Sequence, residues 1–292
     1  MERRQLEFFV AVVEHRGFTR ASRALHVSQP ALSRSIRLLE DELGTTLLHR
    51  KPSGIVVTPA AENLMRRARM ILHDMEAFKA AANSEVNVVA GTVNIALSPA
   101  PAIEPMTTIV AELQHRHPGV FTVGVGCTSS AAALEAVIDG RCEVALFGQP
   151  ETPVAGGVLF HRIHMEELML ALPPGSSLAS QQRIDPNALR NQSFIVAPPG
   201  TTLRTLFEDI SGRVENLHVV AEASHREAVL PMVLKGVGLG FLPAGWRTFV
   251  EAAGGSLRSL DPPVNIPIWL AHGSRLTPPA KAFVDTALRL AR

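Results

Sequence analysis

Apolar positions in the first 44 residues recur with a helical rhythm. Leu6, Phe9, Val10 and Val13 lie three and four apart, on one face of a first helix that Gly17 ends. Thr19 is placed to cap a second, short helix ending near Val27. Ser28 reads as the N-cap of a third, with Pro30 in its first turn, Leu32, Ile36, Leu39 and Leu43 as its buried stripe, and Gly44 at its exit. Almost no linker separates the second and third helices, which forces the tight corner of a helix-turn-helix. Two short β-prone runs, Leu47-Leu48-His49-Arg50 and Ile55-Val56-Val57-Thr58, flank a Pro-Ser-Gly tip and predict a hairpin. Residues 1–58 thus read as a winged helix-turn-helix.

Thr58 then caps a long helix with Pro59 at its first position, and residues 59–89 form a linker. Ala61, Leu64, Ala68, Ile71, Met75, Phe78 and Ala82 repeat in a 3-4-3-4 pattern, the narrow seam of a coiled coil. Packing on the chain's own body is the alternative, but the position between two domains favours dimerisation through Leu64, Ile71, Met75 and Phe78. From Gly91 the texture becomes α/β. Strands are expected at 92–98, 120–126, 143–148, 167–172, 194–197, 217–222, 238–242 and 266–271. Helices are expected at 102–116, 129–140, 202–211, 225–235, 244–253 and 278–290. This alternation predicts parallel sheets. Extended passages near 158–166 and 261–266 divide 90–292 into two lobes with a cleft between them, one of about 90–162 and 266–292, the other of about 163–265.

Composition sharpens the picture. The 292 residues, 46% hydrophobic and 19% charged, make an ordinary globular chain of about two domains. Nine Lys and Arg against six Asp and Glu leave residues 1–58 at +3, while 89–292 carry −2, a basic head on a slightly acidic body. Cys127 and Cys142 are the sole cysteines, which fits reduced core thiols, with a redox pair as the lesser reading. No long apolar run or leader is visible, so the expected location is the cytoplasm, with no membrane partner.

The run Phe18-Thr19-Arg20-Ala21-Ser22-Arg23-Ala24-Leu25-His26-Val27-Ser28-Gln29-Pro30-Ala31-Leu32-Ser33-Arg34-Ser35-Ile36 closely resembles the DNA-binding head of LysR-type transcriptional regulators. The similarity continues through Leu38–Gly44, the wing, the linker helix and Gly236-Val237-Gly238-Leu239-Gly240-Phe241-Leu242-Pro243. It departs at Ala61, where the family usually has Gly. The resemblance implies a winged head, a dimerising linker and an effector domain shaped like a two-lobed periplasmic solute-binding protein. It also implies dimers or dimers of dimers on dyad-symmetric promoter DNA, and a small metabolite that alters DNA bending or contact with RNA polymerase.

The candidate chemistry follows. The N-terminal residues of a helix in the major groove reach base edges, and Gln29, Ser33 and Arg34 lie there, with Pro30 or Ala31 able to touch a thymine methyl. Gln pairs with adenine and Arg with guanine; Arg37, Arg50 and Lys51 suit phosphates. In the body, Ser98-Pro99, Thr128-Ser129 and Thr201-Thr202 each follow a strand or turn and begin a helix, where free N–H groups favour an anion. Each corner is also a plain N-cap. By resemblance the first two line the effector cleft on one lobe and the third faces them. Gly148 ends the third strand where some aromatic-acid-sensing relatives have a cation near the ligand, which argues against a strong salt bridge. Arg204, His225 and His161 are lesser donors. The expected effector is an organic anion, most simply a carboxylate. No nucleophile motif, metal motif or phosphate loop appears, so neither an enzyme, a cofactor nor a metal is expected. A transport receptor would need a secretion signal and no basic head. Gly236–Gly240 follows a helix and enters a strand, the reverse of a dinucleotide site.

Overall fold

The structure, a computed structural model, describes residues 1–51, 54–83, 89–98 and 103–291. The expected hairpin tip at Pro52 and Ser53 and the cleft candidate Pro99 lie outside the described residues, as does the side chain of Ala82. Two compact units form, Met1–Val88 with Asp139–Arg141, and Val89–Ile138 with Cys142–Arg292.

In the first unit, helices α1 (Arg3–Glu14), α2 (Phe18–Ala24) and α3 (Gln29–Leu43) enclose a core of Leu6, Phe9, Val12, Ala21, Leu32, Ile36 and Leu39. Ser28 Oγ accepts from the Ala31 N–H at 3.4 Å, and Gly44 leaves α3 in the left-handed region at φ 63°. Two expectations fail here. The N-cap of α2 is Gly17, so Thr19 lies within the helix. Leu43, in the last turn, is exposed, because the core closes at Leu39. The strands β1 (Leu48–Lys51) and β2 (Gly54–Val57) pair antiparallel. Glu40 Oε1 ties the wing to α3 by accepting from the Leu47 and Leu48 N–H groups at 2.7 and 3.1 Å.

Helix α4 (Pro59–Asn83) starts at Thr58, whose hydroxyl oxygen accepts from Ala61 N at 3.2 Å. Its apolar seam divides in two. Ala61, Met65 and Ala68 are buried in the head core, with Leu64 and Leu72 at its margin. Beyond them Ile71, Met75 and Phe78 are 39%, 36% and 79% exposed. The first turns of the helix serve the head because α1 lies alongside, with Arg69 Nη2 reaching Glu14 Oε1 at 3.0 Å.

The second unit contains, in chain order, β3 (Ala90–Leu97), α5 (Ile103–Arg116), β4 (Gly119–Gly126), α6 (Ser130–Ile138), β5 (Val144–Gly148), β6 (Val158–Leu172), β7 (Arg183–Ile184), β8 (Ser193–Val196), α7 (Thr202–Ser211), β9 (His218–Glu222), α8 (Arg226–Leu234), β10 (Gly240–Pro243), α9 (Arg247–Ala252), β11 (Ser256–Leu260), β12 (Val264–Gly273) and α10 (Pro278–Leu290). The main sheet is mixed rather than parallel, in the order β4-β3-β5-β12-β6-β11-β7 with β10 also on β6. Strand β3 runs parallel to β4 and β5, whereas β12 is antiparallel to β5 and β6. The two extended passages cause the difference. They belong to β6 and β12, which pair from Val158↔Gly273 to Leu168↔Val264 and carry the chain out of one lobe and back. The short strands β7 and β11 were not anticipated. The expected helix 244–253 begins as a 3₁₀ turn, Ala244–Trp246.

Each lobe has its own core. Val93, Ile95, Leu113, Leu146, Leu270 and Phe283 fill one face of the first lobe, and Ala96, Ala133, Ala145 and Phe147 the other. Phe194, Phe207 and Phe241 centre the second lobe. With separate cores, the strand ends and helix N-termini between the lobes can line a cleft.

Candidate DNA-reading face and effector cleft

On the head, α3 presents Gln29, Pro30, Arg34 and Arg37 as exposed side chains, with Ser33 half-buried among them. Arg34 and Arg37 have no ion pair among the described residues. Arg50, on the wing, lies 4.3 Å over the Phe18 ring and donates to Ser33 Oγ, so two expected DNA-contacting residues are bonded to each other. That bond fixes the wing strand against α3. Lys51 is exposed at the end of β1. A ring under the Arg50 guanidinium adds cation–π attraction without neutralising its charge.

Between the lobes of the second unit is a cavity of about 740 Å³, lined by Ser98, Thr128, Ser129, Thr201 and Thr202 together. Its wall also includes Cys127, Ser130, Ile195, Pro198, Leu203, Phe207, His225, Glu227 and Phe241, and among the described residues no Lys or Arg lines it. Three helices, α6, α7 and α8, start at this cavity, and their first N–H groups and dipoles supply partial positive charge where side chains do not.

The hydroxyl protons divide these residues. Thr201 donates to the Pro198 carbonyl at 2.8 Å and accepts from Arg204 N at 3.3 Å, as a capping residue does. Thr202 donates across the cleft to the Gly148 carbonyl at 2.8 Å, which also accepts from Ser130 Oγ at 2.8 Å. Gly148 therefore sits behind the wall as a hub rather than on it. Ser98 is 3% exposed, and its oxygen accepts from Gly148 N at 3.4 Å. Ser129 Oγ accepts from Ala132 N at 3.1 Å. The hydroxyl protons of Ser98, Thr128 and Ser129 have no acceptor among the described residues.

Residues 3–62 match the bacterial regulatory helix-turn-helix protein, lysR family, and residues 87–292 match the LysR substrate binding domain. The chain belongs to the LysR family of transcriptional regulators. It is 33% identical over 242 residues to a probable hydrogen peroxide-inducible genes activator of Mycobacterium leprae, covering 82% of this chain and 76% of that one. It is 28% identical over 247 residues to the HTH-type transcriptional activator IlvY of Salmonella typhimurium, covering 83% and 82%. A full-length OxyR variant of Pseudomonas aeruginosa has the same fold, with a TM-score of 0.73 and 20% identity over 100% of this chain and 95% of that one. This LysR-type regulator accordingly pairs a DNA-binding head with an effector-binding domain.

The lesser donors separate. His225 lines the interlobe cavity, whereas Arg204 pairs with Glu208 at 2.7 Å and Glu222 at 3.6 Å. His161 stacks on His272, ring centroids 5.3 Å apart. His272 Nδ1 faces the Gly273 carbonyl at 2.7 Å, so the proton is on Nδ1 and His161 Nε2–H donates to His272 Nε2 at 3.2 Å. Burial first, and then His272, hold the His161 imidazole below its ordinary range. Among the described residues no group of three or more His, Cys, Asp or Glu could hold a metal, and no helix is long and apolar enough to cross a membrane. Sequence reasoning missed Ser130 and Glu227. Ser130 adjoins a corner already singled out, but Glu227 looks like any acidic residue in a helix's first turn.

Proposed function

We propose that this regulator reads promoter DNA with Gln29, Pro30, Ser33, Arg34 and Arg37 of α3, assisted by Arg50 and Lys51, and that a small carboxylate in the interlobe cleft controls that reading. The observation that carries the effector reading is the set of uncommitted hydroxyl protons on Ser98, Thr128 and Ser129 beside the start of α6, in a cavity that no Lys or Arg lines among the described residues. Such donors hold a carboxylate without an opposing formal charge, which suits reversible sensing.

The exposed half of the α4 seam supports assembly into dimers or dimers of dimers, and contact with RNA polymerase completes activation. Thr128→Val keeps the shape of the exposed Thr128 and removes its hydroxyl. Calorimetry with carboxylates is expected to show binding weakened by about 0.5–3 kcal/mol, with effector-free operator binding retained. Unchanged affinity for a carboxylate that binds would place the site elsewhere. If hydrogen peroxide alters DNA binding and Cys127→Ser, not Thr128→Val, abolishes the response, the half-buried Cys127 of the same wall is the sensor instead.

A further inference from the structure

The walls of the effector cleft are chemically unlike. On the first lobe, Ser98, Thr128 and Ser129 retain hydroxyl protons for an acceptor. On the second lobe, Thr201 and Thr202 have committed theirs to Pro198 and Gly148, and the remaining surface there is largely apolar, including Leu203, Phe207 and Phe241. A third feature breaks the symmetry further. Glu227, in the first turn of α8, lines the same cavity and has neither a hydrogen bond nor an ion pair among the described residues.

A carboxylate with no Lys or Arg among the described residues of the cavity makes one region of the cleft negative. A dicarboxylate would place its second charge beside that of the exposed Glu227, where like charges repel. A protonated amine in the same place would be attracted. Resting on the reading of the cleft as a carboxylate site, we propose that the effector is a zwitterion, an amino carboxylate with an apolar side chain. Its carboxylate meets the donors of Ser98, Thr128 and Ser129, its side chain lies against Leu203, Phe207 and Phe241, and its ammonium faces Glu227.

Calorimetry on the full-length protein tests this with leucine and phenylalanine, their des-amino counterparts 4-methylpentanoate and 3-phenylpropanoate, and the dicarboxylate adipate. At least one amino acid is expected to bind ten-fold or more tightly than its des-amino counterpart and than adipate. Glu227→Gln should abolish that preference and Glu227→Asp, which keeps the charge, should retain it, the melting temperature of each variant reporting its folding. Equal or tighter binding of the des-amino acids or adipate, a preference that survives Glu227→Gln, or no binding of either amino acid overturns the proposal. If the des-amino acids or adipate bind and Thr128→Val weakens them, the carboxylate cleft stands and only the zwitterion falls. If no probe shows binding sensitive to Thr128→Val, both fall.

Discussion

Arg34 and Arg37 share a helix face and a charge, yet their expected roles differ because a base edge is read by geometry and a phosphate by charge alone. Arg34→Ala is expected to reduce operator affinity by about 1–3 kcal/mol relative to random DNA. Arg37→Ala should weaken both equally and make the salt dependence shallower. Gel-shift titrations at several salt concentrations separate the two, and equal loss on both DNAs for Arg34→Ala would remove it from direct readout. His161 is a second case in which surroundings decide the behaviour of a residue. Its pKa is lowered in the folded protein, so between that value and about 6.5 the unfolded chain binds more protons. The stability it contributes is therefore complete above about pH 6.5 and is lost as pH falls through that window. Thermal unfolding from pH 5 to 7 should show a smaller rise in stability with pH for His161→Gln than for the parent; an identical slope would mean that the half-buried imidazole does not contribute.

At the level of the element, α4 shows how one apolar pattern serves two neighbours. Ala68 is 3% exposed inside the head core, whereas Ile71 and Phe78 are exposed on the following turns. Ile71→Glu is expected to dissociate the assembly, because burying an unpaired carboxylate in a partner seam costs several kcal/mol. Ala68→Glu should instead unfold the head. Sedimentation velocity with circular dichroism distinguishes these outcomes, and an unchanged assembly for Ile71→Glu would exclude the open seam as the interface. The glycines after α8 show a comparable economy. A Cβ on Gly238 would lie 2.9 Å from the Ser193 carbonyl oxygen, so close strand approach, and no dinucleotide, explains that glycine.

For the effector domain as a whole, β6 and β12 couple the lobes and the Thr202–Gly148 hydrogen bond closes the cleft between them. A ligand shifts this arrangement only by binding one lobe geometry better than another. Thr202→Val removes the interlobe donor while Ser130 still satisfies the Gly148 carbonyl, so the variant should lose about 0.5–1.5 kcal/mol of closure. Hydrogen exchange is expected to quicken in the segments around 144–150 and 195–203. Unchanged exchange in both would show that the bond does not hold the lobes.

Local chemistry made much of this protein legible. The caps at Ser28 and Thr58, the stop at Gly44, the α3 stripe as far as Leu39 and the alternation of the body depend on residues near one another in sequence, where capping and periodicity act. The corners at Ser98, Thr128, Ser129, Thr201 and Thr202 were legible locally only as caps, and it was the family resemblance that set them on one cleft; one cavity gathers them. Tertiary structure decided what depends on distant partners. Pairing of β6 with β12 made the sheet mixed, docking on α1 took the first half of the α4 seam, and the Gly148 carbonyl claimed the Thr202 proton. The role assigned to Glu227 likewise follows from its place in the cavity, since a first-turn acid is the same in sequence whether it faces water or a ligand.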